Sequence, residues 1–121
     1  KAHACGKYAI LHSCGYFRDI VGDIVEDMKF DGRHSYEDKI MPVEEAYEFL
    51  HPRLAVLGGM DIDFLARSTP AGVRERVKKM LERTASRGGY ALGSGNSIPD
   101  YIPNENYAAM LEAAYEAGRR R

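Results

Sequence analysis

Four short apolar runs, each followed by glycine or polar residues, constrain the fold of this chain more than any other feature. They span 8–12, 30–34, 54–57 and 90–92, and helix-like stretches separate them. Strands that alternate with helices form a parallel sheet with helices packed on it. An eight-fold barrel takes roughly 250 residues, and this chain places four units in 121 residues. The sequence therefore predicts an α/β fold in one domain over 1–121: half of a (β/α)8 TIM barrel, with four parallel strands each followed by a helix.

A small, open, doubly wound sheet is the alternative fold. Its first strand is typically followed by a glycine-rich phosphate loop, and no such loop follows the first apolar run here. The absence of that loop favours the half-barrel.

Apolar periodicity and capping residues predict four helices. The first covers 16–28 and buries one stripe at helical spacing: Phe17, Ile20, Val21, Ile24, Val25 and Met28. A second is expected over 43–50. A third begins with Thr69 as N-cap and Pro70 as its first residue, and it ends at Gly88 and Gly89. The last begins near Pro103 and is expected to bury Tyr107, Met110, Leu111, Ala114 and Tyr115.

Charge and composition narrow the class of partner. The net charge is −1, from 17 basic and 18 acidic residues, so no electrostatic footprint for nucleic acid is present. No apolar run reaches the roughly 18 residues of a membrane span. Two cysteines, Cys5 and Cys14, do not make a disulfide scaffold, so we expect a reducing cytoplasm. Residues 1–6 look like the last turn of a helix closed by glycine, so we expect a fragment of a longer protein.

The carboxyl end of the predicted sheet collects the candidate functional residues, because barrel active sites lie there. His12 and Cys14 are two positions apart at the end of a strand, so their side chains point to the same face. An imidazole beside a thiol forms half of a zinc site; the alternative is a buried thiol and a core histidine. The other strand ends supply Arg33, His34, Tyr36, Glu37, Asp38, Met60, Asp61, Asp63, Ser94, Asn96 and Ser97.

The segments at the strand ends carry a family resemblance. They read His-Ser-Cys-Gly at 12–15, Phe-Asp-Gly-Arg-His at 30–34, Gly-Gly-Met-Asp at 58–61 and Gly-Ser-Gly-Asn-Ser-Ile-Pro at 93–99, with Pro-Asn-Glu-Asn at 103–106. In order and spacing they resemble the C-terminal half of the uroporphyrinogen decarboxylase superfamily. The resemblance covers essentially the whole chain and implies a (β/α)8 barrel.

That superfamily implies two chemistries. The first is zinc-dependent methyl transfer between a methylated corrinoid protein and a thiol, usually coenzyme M. Its members bind zinc through a His-x-Cys pair, which His12 and Cys14 match, and through a distant Cys, where this chain has Ser94. A carboxylate such as Glu37 could replace that ligand, since zinc accepts oxygen. The second chemistry is cofactor-free decarboxylation of a tetrapyrrole in porphyrin biosynthesis, in which Arg33 would bind substrate carboxylates.

From this resemblance we assign expected roles to the strand-end residues. Glu37 and Ser94 would be catalytic, His12 and Cys14 would bind metal, and substrate would be bound by Arg33, His34, Asp61 and Asn96. The decarboxylase relatives have His where this chain has Ser94, and their key aspartate lies in the half that this chain lacks. A non-catalytic half-barrel module is the third alternative. A half-barrel exposes two sheet edges and an apolar face, so we expect a homodimer or larger assembly, and no activity from the chain alone.

Overall fold

The strands of the sheet follow one another in chain order. A computed structural model describes residues 1–84 and 86–119. Its parallel sheet has the order β1-β2-β3-β4, formed by Ile10–His12 (β1), Gly32–His34 (β2), Ala55–Leu57 (β3) and Tyr90–Ala91 (β4). Doubly wound sheets instead place a later strand on the other side of the first one, so that the strand order reverses. The α/β half-barrel prediction is confirmed, and the doubly wound alternative is excluded.

Four α-helices connect or follow these strands: Val43–Leu50 (α1), Ile62–Arg67 (α2), Pro70–Thr84 (α3) and Asn104–Arg119 (α4). Helix α1 has the predicted bounds. Helix α3 begins at Pro70 as predicted, and Thr69 Oγ1 accepts a hydrogen bond from the Gly72 backbone N–H at 3.2 Å. None of the helices in the described ranges is long and apolar enough to cross a membrane.

The connection from β1 to β2 differs from the predicted helix over 16–28. It contains a 3-10 turn, Arg18–Ile20, and a π-helical segment, Asp23–Asp27. At the end of that segment the Met28 N–H donates to the Asp23 carbonyl, five residues back, at 2.8 Å. A π-helical turn contains one residue more than an α-helical turn. The residues that follow it are therefore rotated away from the predicted apolar face. Met28, which follows the π-helical turn, is therefore 58% exposed, whereas Phe17, Val21 and Ile24 are buried; Ile20, in the 3-10 turn, is 46% exposed.

Helix α4 also presents a different face from the one predicted. Met110 is buried, but Tyr107, Leu111 and Tyr115 are exposed, and Asn106 faces inward instead. The Asn106 side-chain N–H groups donate to the carbonyls of Leu65 and Ser68, both at 2.8 Å. These two hydrogen bonds fix the rotation of the helix, because carbonyls at the end of α2 would otherwise lack partners.

The two faces of the sheet have different surroundings. Arg33 and Val56 pair in register and are buried beneath the helices, where the core includes Val43, Tyr47, Leu50, Leu65, Val73, Val77, Met80 and Met110. The opposite face is open. Ile10 on that face is 54% exposed, and an apolar groove runs past Ala55 and Ala91. His12 and His34 stand at the carboxyl end of this open face, because strand side chains alternate between faces.

A close approach between the β3–α2 loop and α1 gives a test of the packing. Gly59 has φ of +109°, and a Cβ built there would lie 2.5 Å from Val43 side-chain atoms; Gly88 has φ of +73° and no atom within 4 Å of such a Cβ. We expect Gly88→Ala to lower the free energy of unfolding by about 1–2 kcal/mol through backbone strain alone. Gly59→Ala adds overpacking and should cost about 3–5 kcal/mol. Urea unfolding measures both, and equal costs would contradict this packing.

Candidate functional site

Two neighbouring strand ends place His12 and His34 side by side. They are the last residues of β1 and β2 and are paired in register, so both rings project from the same face. The ring centroids are 4.8 Å apart, and the two Nδ1 atoms are 2.7 Å apart. The other ring nitrogen of His34, Nε2, lies 2.9 Å from the Ser94 carbonyl oxygen. The His34 ring, at the end of β2, therefore connects His12 at the end of β1 with Ser94, which follows β4.

Cys14 lies beside the free edge of the His12 ring. Its Sγ is 3.9 Å from His12 Nε2, and both side chains are exposed. The structure thus brings together the two residues that were predicted from the sequence to be metal ligands. Cys5, the other free and exposed thiol, belongs to the turn His3–Cys5.

The Asn96 amide group is the nearest polar partner of the Cys14 sulfur. Asn96 Nδ2 donates to Cys14 Sγ at 3.3 Å, while its Oδ1 accepts a hydrogen bond from the Ser97 backbone N–H at 2.9 Å. The second contact fixes which end of the amide faces the sulfur. Asn96 is therefore a hydrogen-bond donor to Cys14 and not a metal ligand. Asn96 was expected to bind substrate. The sequence did not predict its contact with Cys14, nor the 3.8 Å contact from Ser35 Oγ to the same sulfur.

Arg33 takes a different place from the substrate-binding one that was expected. Its side chain is fully buried on the helix-covered face. One terminal nitrogen donates to the Ser35 carbonyl at 2.7 Å and the other to the Ser13 carbonyl at 2.8 Å. The guanidinium carbon lies 3.8 Å from the centre of the Phe17 ring. Arg33 thus binds the loops that carry Cys14 and Ser35, and it does not point toward the open face.

Tyr36 also borders this guanidinium: its ring centre lies 5.0 Å from the guanidinium carbon and 5.8 Å from the centre of the Phe17 ring. Burial raises the pKa of Tyr36 to about 12, although the positive charge of Arg33 acts in the opposite direction. The phenol is therefore neutral at physiological pH and serves here as a packing surface for the guanidinium.

A cleft of about 400 Å³ is lined by Asn96, Glu37 and Asp61; neither His12 nor Cys14 is among its lining residues. Asp61 is committed to backbone groups: Oδ1 caps α2 at Phe64, and Oδ2 accepts from the Asp38 N–H, both at 3.1 Å. Burial raises the pKa of Asp38, an effect that the Arg76 guanidinium opposes. Glu37, which was expected to be catalytic, faces this cleft.

The donors of a complete metal site are not assembled in this part of the chain. Over 1–84 and 86–119, no three side chains of His, Cys, Asp or Glu form a group able to hold a metal ion. Glu37 therefore does not join His12 and Cys14. Ser94 reaches the site through its backbone carbonyl, which His34 occupies.

Comparison with known proteins finds a matching family and similar solved structures. Residues 1–117 match the family model described as uroporphyrinogen decarboxylase (URO-D). A solved structure described as a methyltransferase from Methanosarcina mazei is 26% identical, covers 97% of this chain and superposes with a TM-score of 0.75. The chain spans 33% of that protein's chain. No curated protein matches.

Removing the buried guanidinium should loosen the loops beneath the site. We expect Arg33→Met to lower the free energy of unfolding by about 2–3 kcal/mol, because carbonyls left without partners cost about 1–3 kcal/mol each and relief of the buried charge offsets only part of this. Arg18→Met is the matched control: Arg18 is exposed, with its guanidinium 5.0 Å from the centre of the Phe49 ring. It should cost no more than about 1 kcal/mol. Denaturant unfolding compares the two, and a smaller loss in Arg33→Met than in Arg18→Met would refute the role.

Proposed function

The chain belongs to the uroporphyrinogen decarboxylase family, and on that premise we propose that it supplies two zinc ligands to a methyltransferase. The proposed reaction transfers a methyl group from a methylated corrinoid protein to a small thiol. The observation that carries the proposal is the exposed pair of His12 Nε2 and Cys14 Sγ, 3.9 Å apart at the carboxyl end of the sheet. The likeness to the Methanosarcina mazei methyltransferase supports the same class of reaction.

The two donor atoms fit zinc by their chemistry and their closeness. Zinc binds imidazole nitrogen and thiolate sulfur, and His12 Nε2 and Cys14 Sγ lie 3.9 Å apart on exposed side chains. Catalytic zinc sites use three protein ligands, and the third is not among the described residues as they stand.

Zinc held by His12 and Cys14 would supply a lowered pKa for a coordinated substrate thiol, so that the thiolate would be available near neutral pH. The residues of this chain hold and shape the site: His12 and Cys14 bind, and Asn96 donates to the Cys14 sulfur. His12 and Cys14 are both exposed, so a substrate thiol would reach them from the open face of the sheet. In the transfer, a sulfur–carbon bond forms and the carbon–cobalt bond breaks. Its electron pair stays on the corrinoid, and the thiol proton leaves to solvent.

The geometry gives less support to the alternative function, decarboxylation of a tetrapyrrole. In that alternative Arg33 would bind substrate carboxylates, and both of its terminal nitrogens are occupied by backbone carbonyls. Catalytic roles for Glu37 and Ser94 stay predictions.

We further propose that the protein acts in the cytoplasm, where free thiols such as Cys5 and Cys14 persist. A barrel site draws on strands from both halves, so we expect no turnover from this chain alone.

Zinc content tests the proposed function directly. Elemental mass spectrometry on the protein as its gene encodes it should find about one zinc per chain. Cys14→Ala should lose the zinc, because one of two ligands from this region is removed. Cys5→Ala removes the other exposed thiol and should keep it. Zinc that survives Cys14→Ala would contradict the site, and wild-type protein without zinc would favour a metal-free decarboxylase.

We also propose that a second copy of the chain covers the open face, giving a homodimer. Ile10 is 54% exposed on that face, and β1 and β4 stand at the two edges of the sheet. Light scattering at micromolar concentration should give the mass of a dimer. Ile10→Lys should shift it toward monomer, whereas Ile20→Lys, at a site 46% exposed in the β1–β2 connection, should not. A stable wild-type monomer would refute the proposal.

A further inference from the structure

We propose that His34 is a positioning residue that fixes the tautomer of His12, so that His12 Nε2 presents a lone pair beside Cys14. The inference rests on the proposed function for its purpose, because the lone pair matters when a metal binds. The hydrogen bonds themselves are independent of any metal. His34 was expected from the sequence to bind substrate, and the structure points to this other role.

The relay of hydrogen bonds begins at the Ser94 carbonyl. A carbonyl oxygen only accepts, so His34 Nε2, 2.9 Å away, must carry a hydrogen. In a neutral imidazole the other nitrogen then holds a lone pair, so His34 Nδ1 is an acceptor. His12 Nδ1 lies 2.7 Å from that acceptor and must donate its hydrogen to it. The neutral His12 ring is left with its lone pair on Nε2, the atom nearest to Cys14 Sγ.

The surroundings of His34 hold its ring in this relay. Gly58 lies beneath the ring: a Cβ built there would be 2.7 Å from His34 Cδ2 and 2.9 Å from Nε2, and Gly58 has φ of +94°. The anchoring oxygen belongs to the backbone, so the relay does not depend on the Ser94 side chain. Both ring nitrogens of His34 are engaged, which leaves none for a metal. His34 therefore acts through His12.

The hydrogen-bond acceptor of a metal-binding histidine affects how tightly the metal binds. A histidine that binds a metal usually donates its other ring N–H to an acceptor, and loss of that acceptor typically weakens metal binding 10–100-fold. In most such sites the acceptor is a carboxylate or a carbonyl. Here the acceptor is a second imidazole, and the position of its own hydrogen is set by the Ser94 carbonyl, which follows β4, two strands further along the sheet.

The test reads the tautomer and the metal affinity separately, on the protein as its gene encodes it. In metal-free wild type, ¹⁵N NMR of the His12 ring should show the hydrogen on Nδ1. His34→Leu removes the acceptor and should give a mixture of tautomers. His34→Asn keeps an acceptor oxygen near the same position and should restore the wild-type pattern. Zn²⁺ affinity by chelator competition should fall 10–100-fold in His34→Leu and by less than about 5-fold in His34→Asn.

His51→Leu is the control, because His51 also contacts a carbonyl, that of Arg87 at 3.2 Å, but belongs to the other end of the sheet. It should change neither the His12 tautomer nor Zn²⁺ affinity. A wild-type His12 with its hydrogen on Nε2 would overturn the inference without any variant, as would equal Zn²⁺ affinity in wild type and His34→Leu. If the tautomers match the expected pattern while wild type binds no Zn²⁺, the relay stands and the proposed function fails.

Discussion

The buried guanidinium of Arg33 is the interaction on which the rest of the site depends. Its stabilisation comes from the carbonyls of Ser13 and Ser35 and from the rings of Phe17 and Tyr36. A buried charge without such partners is costly, so the loops after β1 and β2 must bring their carbonyls to it. The first of these loops carries Cys14, whose position is thereby set from the opposite face of the sheet.

Much of the fold was predictable because its signals are local. Apolar runs predicted the strands, and the Thr69-Pro70 cap predicted the start of α3. Two errors came from hydrogen bonds that no periodicity encodes. The hydrogen bond from the Met28 N–H to the Asp23 carbonyl forms a π-helical turn in the β1–β2 connection. The hydrogen bonds from Asn106 to the end of α2 set the rotation of α4 about its axis. Side-chain pattern alone does not reveal either one.

Strand alternation explains which part of the site the sequence could predict. His12 and Cys14 are two positions apart and share a face, as expected. Arg33 and His34 are adjacent, so they point to opposite faces, and only His34 reaches the open one. The expected substrate-binding roles of Arg33 and His34 stay predictions, and the structure places Arg33 away from the open face. The contact between Asn96 and Cys14 joins residues 82 positions apart, and no local pattern predicts it.

The order of the strands has a consequence for how the site comes into being. Each strand pairs with the one before it, so every step of sheet growth closes a loop of modest length at a similar entropic cost. The contacts of the site are of another kind: His34 to Ser94 spans 60 positions and Asn96 to Cys14 spans 82. Both contacts need the segment that follows β4. A chain that stops short of β4 therefore keeps the pairing of His12 with His34 but lacks the contacts that Ser94 and Asn96 make with His34 and Cys14.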